Sequence, residues 1–233
     1  AVSLFDGTVD LGNPNLEPER TWRAQIDWER RFGPKSVIVL SAFHDQIEAV
    51  QDQIPIAGAF DAPGNLGDGH RTGLRADIMA PLDRFGIKRG ELRLTGVVQD
   101  TEATDPTTGL KRRLSEETEW NYAIDFRQPI PGLKLMWGAL YERSDSVQLF
   151  RLKEQRTNTW DEPNLDLFIE TTAIKGLVIR FTAAEVFLPE DVRERRFYVP
   201  DRSLASNLST IETRTAQGAY GTRSYTLRIA GRF

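Results

Sequence analysis

Ser224-Tyr225-Thr226-Leu227-Arg228-Ile229-Ala230-Gly231-Arg232-Phe233 is the stretch that decides how the rest of the chain is read. As a strand it places Tyr225, Leu227, Ile229 and Phe233 on one face, with Gly231 the small residue among them. Ser224, Thr226, Arg228 and Arg232 fall on the other, because side chains alternate with period two. One apolar and one polar face suit two settings: the edge strand of a soluble sheet, or a strand with lipid on one side and water on the other. The neighbouring segments must separate them.

Composition narrows the field. A chain of 233 residues suits one large domain or two small ones. Mean hydropathy is -0.43, and no run approaches the roughly 18–20 apolar residues of a membrane helix. A spanning strand needs only about 9–11 residues with one apolar face, so a strand-built membrane protein looks soluble by average hydropathy. A net charge of -4 and a pI near 5.4 argue against a nucleic-acid partner, which shows as a basic patch or stripe. Cysteine is absent, which removes disulfides, cysteine-based zinc sites and thiol chemistry. Ala1-Val2-Ser3-Leu4-Phe5-Asp6 carries no charged-then-apolar signal pattern, and the expectation is that the chain is the later part of a longer protein.

Working back from the opening stretch, the same alternation recurs. Residues 1–8 read as a short strand, followed by a turn region rich in proline and asparagine to Glu19. Trp22, Ala24, Ile26, Trp28 and Phe32 then share one face, against Thr21, Arg23, Gln25, Asp27 and Glu29 on the other. Arg30 interrupts the apolar face, where a long side chain can snorkel. Trp22 to Phe32 covers roughly 33 Å of strand, and at a tilt of about 40° this projects to on the order of 25 Å, the height of a lipid-facing band. Further alternating segments centre on Leu40, Leu74, Leu94, Ile124, Trp137, Leu167 and Ile179. About ten strands result, with no helical period.

The connections carry more information than the strands. Polar stretches at 51–68, 101–113, 144–163 and 188–218 are long, whereas those after Phe32, Phe126 and Glu170 are short and that after Ala80 is of medium length. Long and short alternate, so every long loop lies at one end. Outer-membrane barrels have this asymmetry, with short periplasmic turns and longer extracellular loops. The pattern predicts an all-β, antiparallel, up-and-down transmembrane β-barrel in which Phe233 lies at the periplasmic rim. Tyr225, Leu227, Ile229 and Phe233 are then the candidate signal read during barrel insertion, and barrel-assembly machinery is an expected partner. Arg23, Asp27, Arg93, Asp125, Arg127, Arg180 and Arg228 are expected to face the lumen, along with Glu91, Glu119, Lys134, Glu142, Glu170 and Arg232.

Four motifs point to a family. Gly12-Asn13-Pro14-Asn15-Leu16-Glu17-Pro18-Glu19, Leu40-Ser41-Ala42-Phe43-His44-Asp45, the run from Asn65-Leu66-Gly67 to Gly73-Leu74, and the closing Leu227 to Phe233 together resemble the barrel of TonB-dependent outer-membrane receptors. The resemblance implies a 22-stranded barrel closed by an N-terminal plug, with residues 1–233 its C-terminal portion. It implies active transport of a scarce, bulky ligand in the Gram-negative outer membrane: a ferric siderophore first, a carbohydrate or vitamin as the alternative. The implied partners are outer-membrane lipid and lipopolysaccharide, the plug and remaining strands, and the TonB complex reached through the absent N-terminal part. A self-contained smaller barrel acting as a pore or adhesin is the competing reading.

Catalytic chemistry is sparse. The chain has two histidines, and His44-Asp45 near a strand end resembles the histidine–aspartate pair of omptin-type outer-membrane proteases; two exposed polar residues are the plainer reading. No nucleophile-elbow pattern surrounds any serine. Gly67-Asp68-Gly69 lacks the helix a dinucleotide fingerprint needs. Asp61, Asp68 and Asp161-Glu162 read as solvated loop carboxylates rather than cation ligands. Arg193-Glu194-Arg195-Arg196 reads as a solvated loop face that also suits lipopolysaccharide phosphates. The expectation is a chain with no enzymatic activity, no metal and no cofactor.

Overall fold

The computed structural model describes residues 2–3, 8–9, 13–33, 35–56, 58, 60–188, 190–217 and 223–231. Among these residues, eighteen strands and three single-turn 3-10 segments make an all-β fold. In chain order the strands are β1 (Val2–Ser3), β2 (Thr8–Val9), β3 (Arg20–Arg31), β4 (Val37–Glu48), β5 (Gln51–Ile56), β6 (Phe60–Asn65), β7 (Gly69–Pro81), β8 (Glu91–Thr104) and β9 (Lys111–Arg112). There follow β10 (Trp120–Ile130), β11 (Leu135–Ser144), β12 (Val147–Phe150), β13 (Glu154–Trp160), β14 (Asn164–Thr171), β15 (Leu177–Ala184), β16 (Glu190–Tyr198), β17 (Leu208–Gln217) and β18 (Ser224–Gly231).

Nine strands form one antiparallel meander in the order β18-β15-β14-β11-β10-β8-β7-β4-β3, with β9 added to the end of β8. Each neighbour in this order is the next strand of this sheet in sequence, so the connections alternate as expected. Those at 32–36, 82–90, 131–134 and 172–176 are compact. Local chemistry makes them so: Phe32 N–H closes on the Ser36 carbonyl at 3.0 Å, and Gly86 and Lys134 take the left-handed conformation after one 3-10 turn each. The connections at 49–68, 105–119, 145–163 and 185–223 lie together at the other end.

Those long connections are folded, which the sequence reading did not anticipate. β5 and β6 make a hairpin within 49–68, and β12-β13-β16-β17 form a second antiparallel sheet built from the last two long connections. The segment around 210–215 therefore belongs to β17 beside β16 and does not extend the flanking strands of the large sheet. At the other end of the chain, Val2–Ser3 pairs only with Thr8–Val9, so residues 1–8 supply no strand of the large sheet among the described residues. Two further corrections follow from position. Lys134 caps a turn rather than facing a lumen, and Glu119 precedes β10 and receives Arg113 at 3.2 Å. Arg232 and Phe233 lie outside the described residues.

The hydrophobic core is small and sits under the loops, where Ile47, Val50, Ala103 and Leu114 pack with Leu66. The large sheet itself has no such layer. It is also open: among the described residues β3 and β18 each pair on one side only, so these strands do not close into a barrel. Both edge strands are exposed along their whole length.

Candidate functional site

Register assigns every residue of the meander to one of two faces, because directly paired residues share a face. On one face lie continuous apolar rows. Ile26, Ala42, Leu74, Val98 and Trp120 form one, and the next contains Trp28, Leu40, Ala76, Gly96 and Tyr122. Further along, Ala80, Leu92, Phe126, Ala139, Leu167, Ala183 and Tyr225 are cross-strand neighbours in sequence. Gln128, Trp137, Ile169, Phe181 and Leu227 follow, then Ile130, Leu135, Thr171, Ile179 and Ile229. The belt runs diagonally across all nine strands.

The belt is uncovered. On the edge strands Ile26 is 77% and Leu227 63% exposed, and on the interior strands Leu74 and Val98 are 64% exposed, where an interior strand of a soluble sandwich buries such residues. Contiguous apolar patches on soluble monomers rarely exceed a few hundred Å². Aromatic contacts run along it, including Phe126 edge-on to Trp137 at 4.9 Å and Phe181 stacked with Tyr225 at 6.1 Å. A shallow hollow of about 660 Å³ interrupts it where Ala42, Ala76 and Gly96 stand between larger side chains.

The opposite face is ionic. Arg23, Asp27, Arg93, Asp125, Arg127, Arg180 and Arg228 all lie on it, as do Glu91, Glu142 and Glu170. Most of these charges are paired. Arg93 binds Asp77 through two nitrogens, the closer at 2.5 Å, Arg127 binds Asp125 at 2.8 Å, and Arg180 approaches Glu170 at 3.9 Å. Arg180 also stacks 3.9 Å over the Phe168 ring, which in turn covers Gly138. A Cβ at Gly138 would stand 2.5 Å from that ring and 2.4 Å from the Phe126 carbonyl, so only glycine fits there.

His44 and Asp45 illustrate the two faces. Asp45 is fully buried on the ionic face, held by both nitrogens of an Arg23 fork at 2.6 and 2.8 Å and by Arg71 at 3.2 Å. His44 points the other way and meets the Thr72 hydroxyl at 2.7 Å. Adjacent residues of one strand cannot form an acid–base dyad across it, so this pair is not arranged for catalysis. Among the described residues no group of three or more histidines and carboxylates is placed to hold a metal ion.

The long connections are clamped together by a buried ionic network. Asp105, 1% exposed, receives Arg112 and Arg202 on Oδ2, each at 2.8 Å, and the N–H groups of Thr107 and Thr108 on Oδ1 at 2.8 and 3.0 Å. Arg112 reaches on to Asp52 at 2.9 Å, which Ser115 also donates to at 2.6 Å. Phe150 lies beneath both guanidinium groups, 4.3 Å from Arg112 and 5.4 Å from Arg202. Four residues from four separate connections, Asp52, Asp105, Phe150 and Arg202, thus meet at one point. Burial opposes ionisation of Asp105, but the Arg202 hydrogen bond and charge with the two N–H groups overcome it and hold the carboxyl below its usual range. Asp61, on β6, accepts the Leu152 N–H at 2.7 Å, and there burial wins and pushes the carboxyl up.

Two motifs quoted from separate parts of the sequence also meet here. Glu17 N–H donates to Asn65 Oδ1 at 2.9 Å, and Asn65 Nδ2 returns to the Glu17 carbonyl at 3.0 Å and to that of Ala49 at 2.7 Å. Of the network residues, only Asp105 carried a local signal, since Asp followed by Pro-Thr-Thr is an Asx-turn pattern. Comparison with protein-family models, with curated proteins and with solved structures finds no match for this chain.

Proposed function

We propose that the chain is a section of barrel wall from an outer-membrane active-transport receptor of the TonB-dependent type. The observation that carries this reading is one sheet with uncovered apolar rows on one face, paired charges on the other, and all long connections gathered at one end. A lipid-facing surface needs the first, a hydrated lumen the second, and an extracellular cap the third. On this reading the ionic face lines the lumen and contacts a plug, and the clamped loops present the ligand surface. Tyr225, Leu227 and Ile229, with Phe233, form the insertion signal. The ligand is a scarce, bulky molecule such as a ferric siderophore, with carbohydrate or vitamin as the second class. Uptake is driven by energy-coupled movement of the plug, which other parts of the molecule supply.

The test is solvent preference. The protein is expected to fractionate with outer membranes and to need detergent or lipid to stay monodisperse. A detergent-free, monodisperse monomer in which the rows through Leu74 and Leu167 are protected from exchange by another layer of protein would refute the proposal.

A further inference from the structure

The second sheet contains two guanidinium groups that, among the described residues, no carboxylate oxygen approaches closer than 3.9 Å. Arg156 on β13 and Arg193 on β16 share a face, Arg156 lying opposite Arg195 and Arg193 lying between Asn158 and Arg214. Like charges directly opposite in a sheet repel. Arg195 is neutralised by a Glu154 fork at 2.6 and 3.0 Å and approaches Glu212 at 3.9 Å. Among the described residues Arg156 forms an ion pair with Glu116, at 3.9 Å and 70% exposed, and the Glu154 charge acts on it from farther away. Among the described residues the Arg193 side chain has no hydrogen bond or ion pair, and its Nε is buried without a partner. The Oδ1 of Asn158 beside it is also buried and unpartnered, but it is an acceptor rather than a donor. Asp191 shares the face, but its buried Oδ1 is also without a partner and its carboxylate stays beyond ion-pair reach of Arg193. Burial and the neighbouring Arg193 charge press the Arg156 guanidinium below its ordinary value. Unpaired charge held partly out of water is costly, and paired arginine forks are the usual means of holding a planar oxyanion.

We propose that Arg156 and Arg193 form a binding site for a phosphate or carboxylate group. The two arginines lie on β13 and β16, so a soluble anion needs no membrane reading, whereas the lipopolysaccharide arm rests on the proposed function. Its anion is carried either by a soluble ligand or by a lipopolysaccharide headgroup, and the chemistry is the same.

The experiment titrates the intact protein in detergent with inorganic pyrophosphate and with citrate, at ionic strength held constant by sodium chloride. Saturable binding of at least one anion is expected, weakened tenfold or more in Arg193→Gln and in Arg156→Gln and less in Arg193→Lys. Arg196→Gln, on the opposite face and paired with Glu194 at 2.7 Å, should leave it unchanged. Should a glutamine variant fail to fold, Arg193→Lys carries the comparison. A second arm repeats the titration in nanodiscs with intact or dephosphorylated lipopolysaccharide. Competition by the intact form alone assigns the site to the headgroup, and no competition assigns it to a soluble anion. Absence of saturable binding in every arm, or equal weakening by Arg196→Gln, overturns the proposal. So does an Asp191→Asn variant as destabilised as Arg193→Gln in a protein that binds neither anion, because the two residues would then be each other's partner.

Discussion

Ile124 and Ala123 are neighbours on β10 at the same depth in the sheet, and they separate the two faces cleanly. Ile124 lies in the belt, between Leu94 on β8 and Tyr141 on β11. Ala123 lies on the ionic face, opposite Thr95 and Glu142. Ile124→Arg puts a guanidinium where the proposal places acyl chains, at the middle of the outward residues of its strand. The cost of a cation near the bilayer midplane is about 2–4 kcal/mol. At about 1.4 kcal/mol per tenfold, the folded-to-unfolded ratio should fall by roughly 30- to 700-fold. Ala123→Arg enters water beside Glu142, with which it can pair, and its cost should lie within about 0.5 kcal/mol of zero. Both variants are introduced into the intact protein, reconstituted into vesicles and unfolded with guanidinium, tryptophan fluorescence reporting the transition. Equal effects of the two variants, or a harmless Ile124→Arg, would refute the assignment of lipid to the belt face.

Asp105→Asn keeps the acceptor for Thr107 and Thr108 but removes the carboxylate that Arg112 and Arg202 share; Arg112 still has Asp52 and Arg202 is left with the Arg151 carbonyl. The loop cap should lose about 3 kcal/mol, seen as faster amide exchange at Leu152 and Leu114 with the meander unchanged; unchanged exchange would refute the clamp. For pH, the folded Asp105 carboxyl lies below its unfolded value, so its stabilisation is complete above the unfolded range near about 3.9 and disappears as pH falls through the folded value. Asp61 has the opposite sign: raised by burial, it favours the fold below the unfolded value and loses that contribution as pH rises through the folded one. Asp61→Asn should therefore reduce the stability the cap loses as pH rises toward neutral and leave the acid loss intact, read by cap exchange between acid and neutral pH. Deletion of Phe233 should reduce outer-membrane assembly, measured by heat-modifiable mobility of the folded form, and unaltered assembly would remove the insertion-signal role.

The meander was legible because each of its strands repeats one simple rule. Trp22, Ile26 and Trp28 against Arg23 and Asp27 needed only period-two counting, and that alternation holds across all nine strands. The interior of the long connections was not legible. Residues 51–56 and 60–65 carry Pro55, Pro63 and Gly64, which read as loop, yet they pair because the hairpin is held by Asn65 and by the Asp52–Arg112 bond. Likewise Arg193-Glu194-Arg195-Arg196 looked like a solvated charge run, but it is a strand whose odd-numbered residues face Glu154 and Arg156. Ionic pairing between segments distant in sequence leaves no periodic trace. For the same reason Asp45 suggested a partner for His44 when its partners were Arg23 and Arg71, on the two strands that flank its own.

Strand direction sets what can complete this sheet. β3 descends from the long-loop end to the compact turn at 32–36, and β18 descends from the connection at 185–223 in the same sense. Seven strands lie between them, and each reverses the last. Joining β3 directly to β18 would make one parallel pair in an otherwise antiparallel barrel, whereas bacterial single-chain barrels keep an even, fully antiparallel count. If the sheet is a section of barrel wall as proposed, an odd number of further strands between the two edges restores alternation. Disulfide formation offers a direct measurement, because the chain has no cysteine to confuse it. A bond needs Cα atoms within about 4.4–6.8 Å. Ile26→Cys with Leu40→Cys is not a direct pair, but Ile26→Cys with Ala42→Cys is, and oxidation in membranes should link it readily. Cysteines at Ile26 and at Tyr225, Leu227 or Ile229 should stay unlinked under the same oxidant. Efficient linkage of any of these three to position 26 would show the edges closing on each other, and the larger-barrel reading would have to be abandoned.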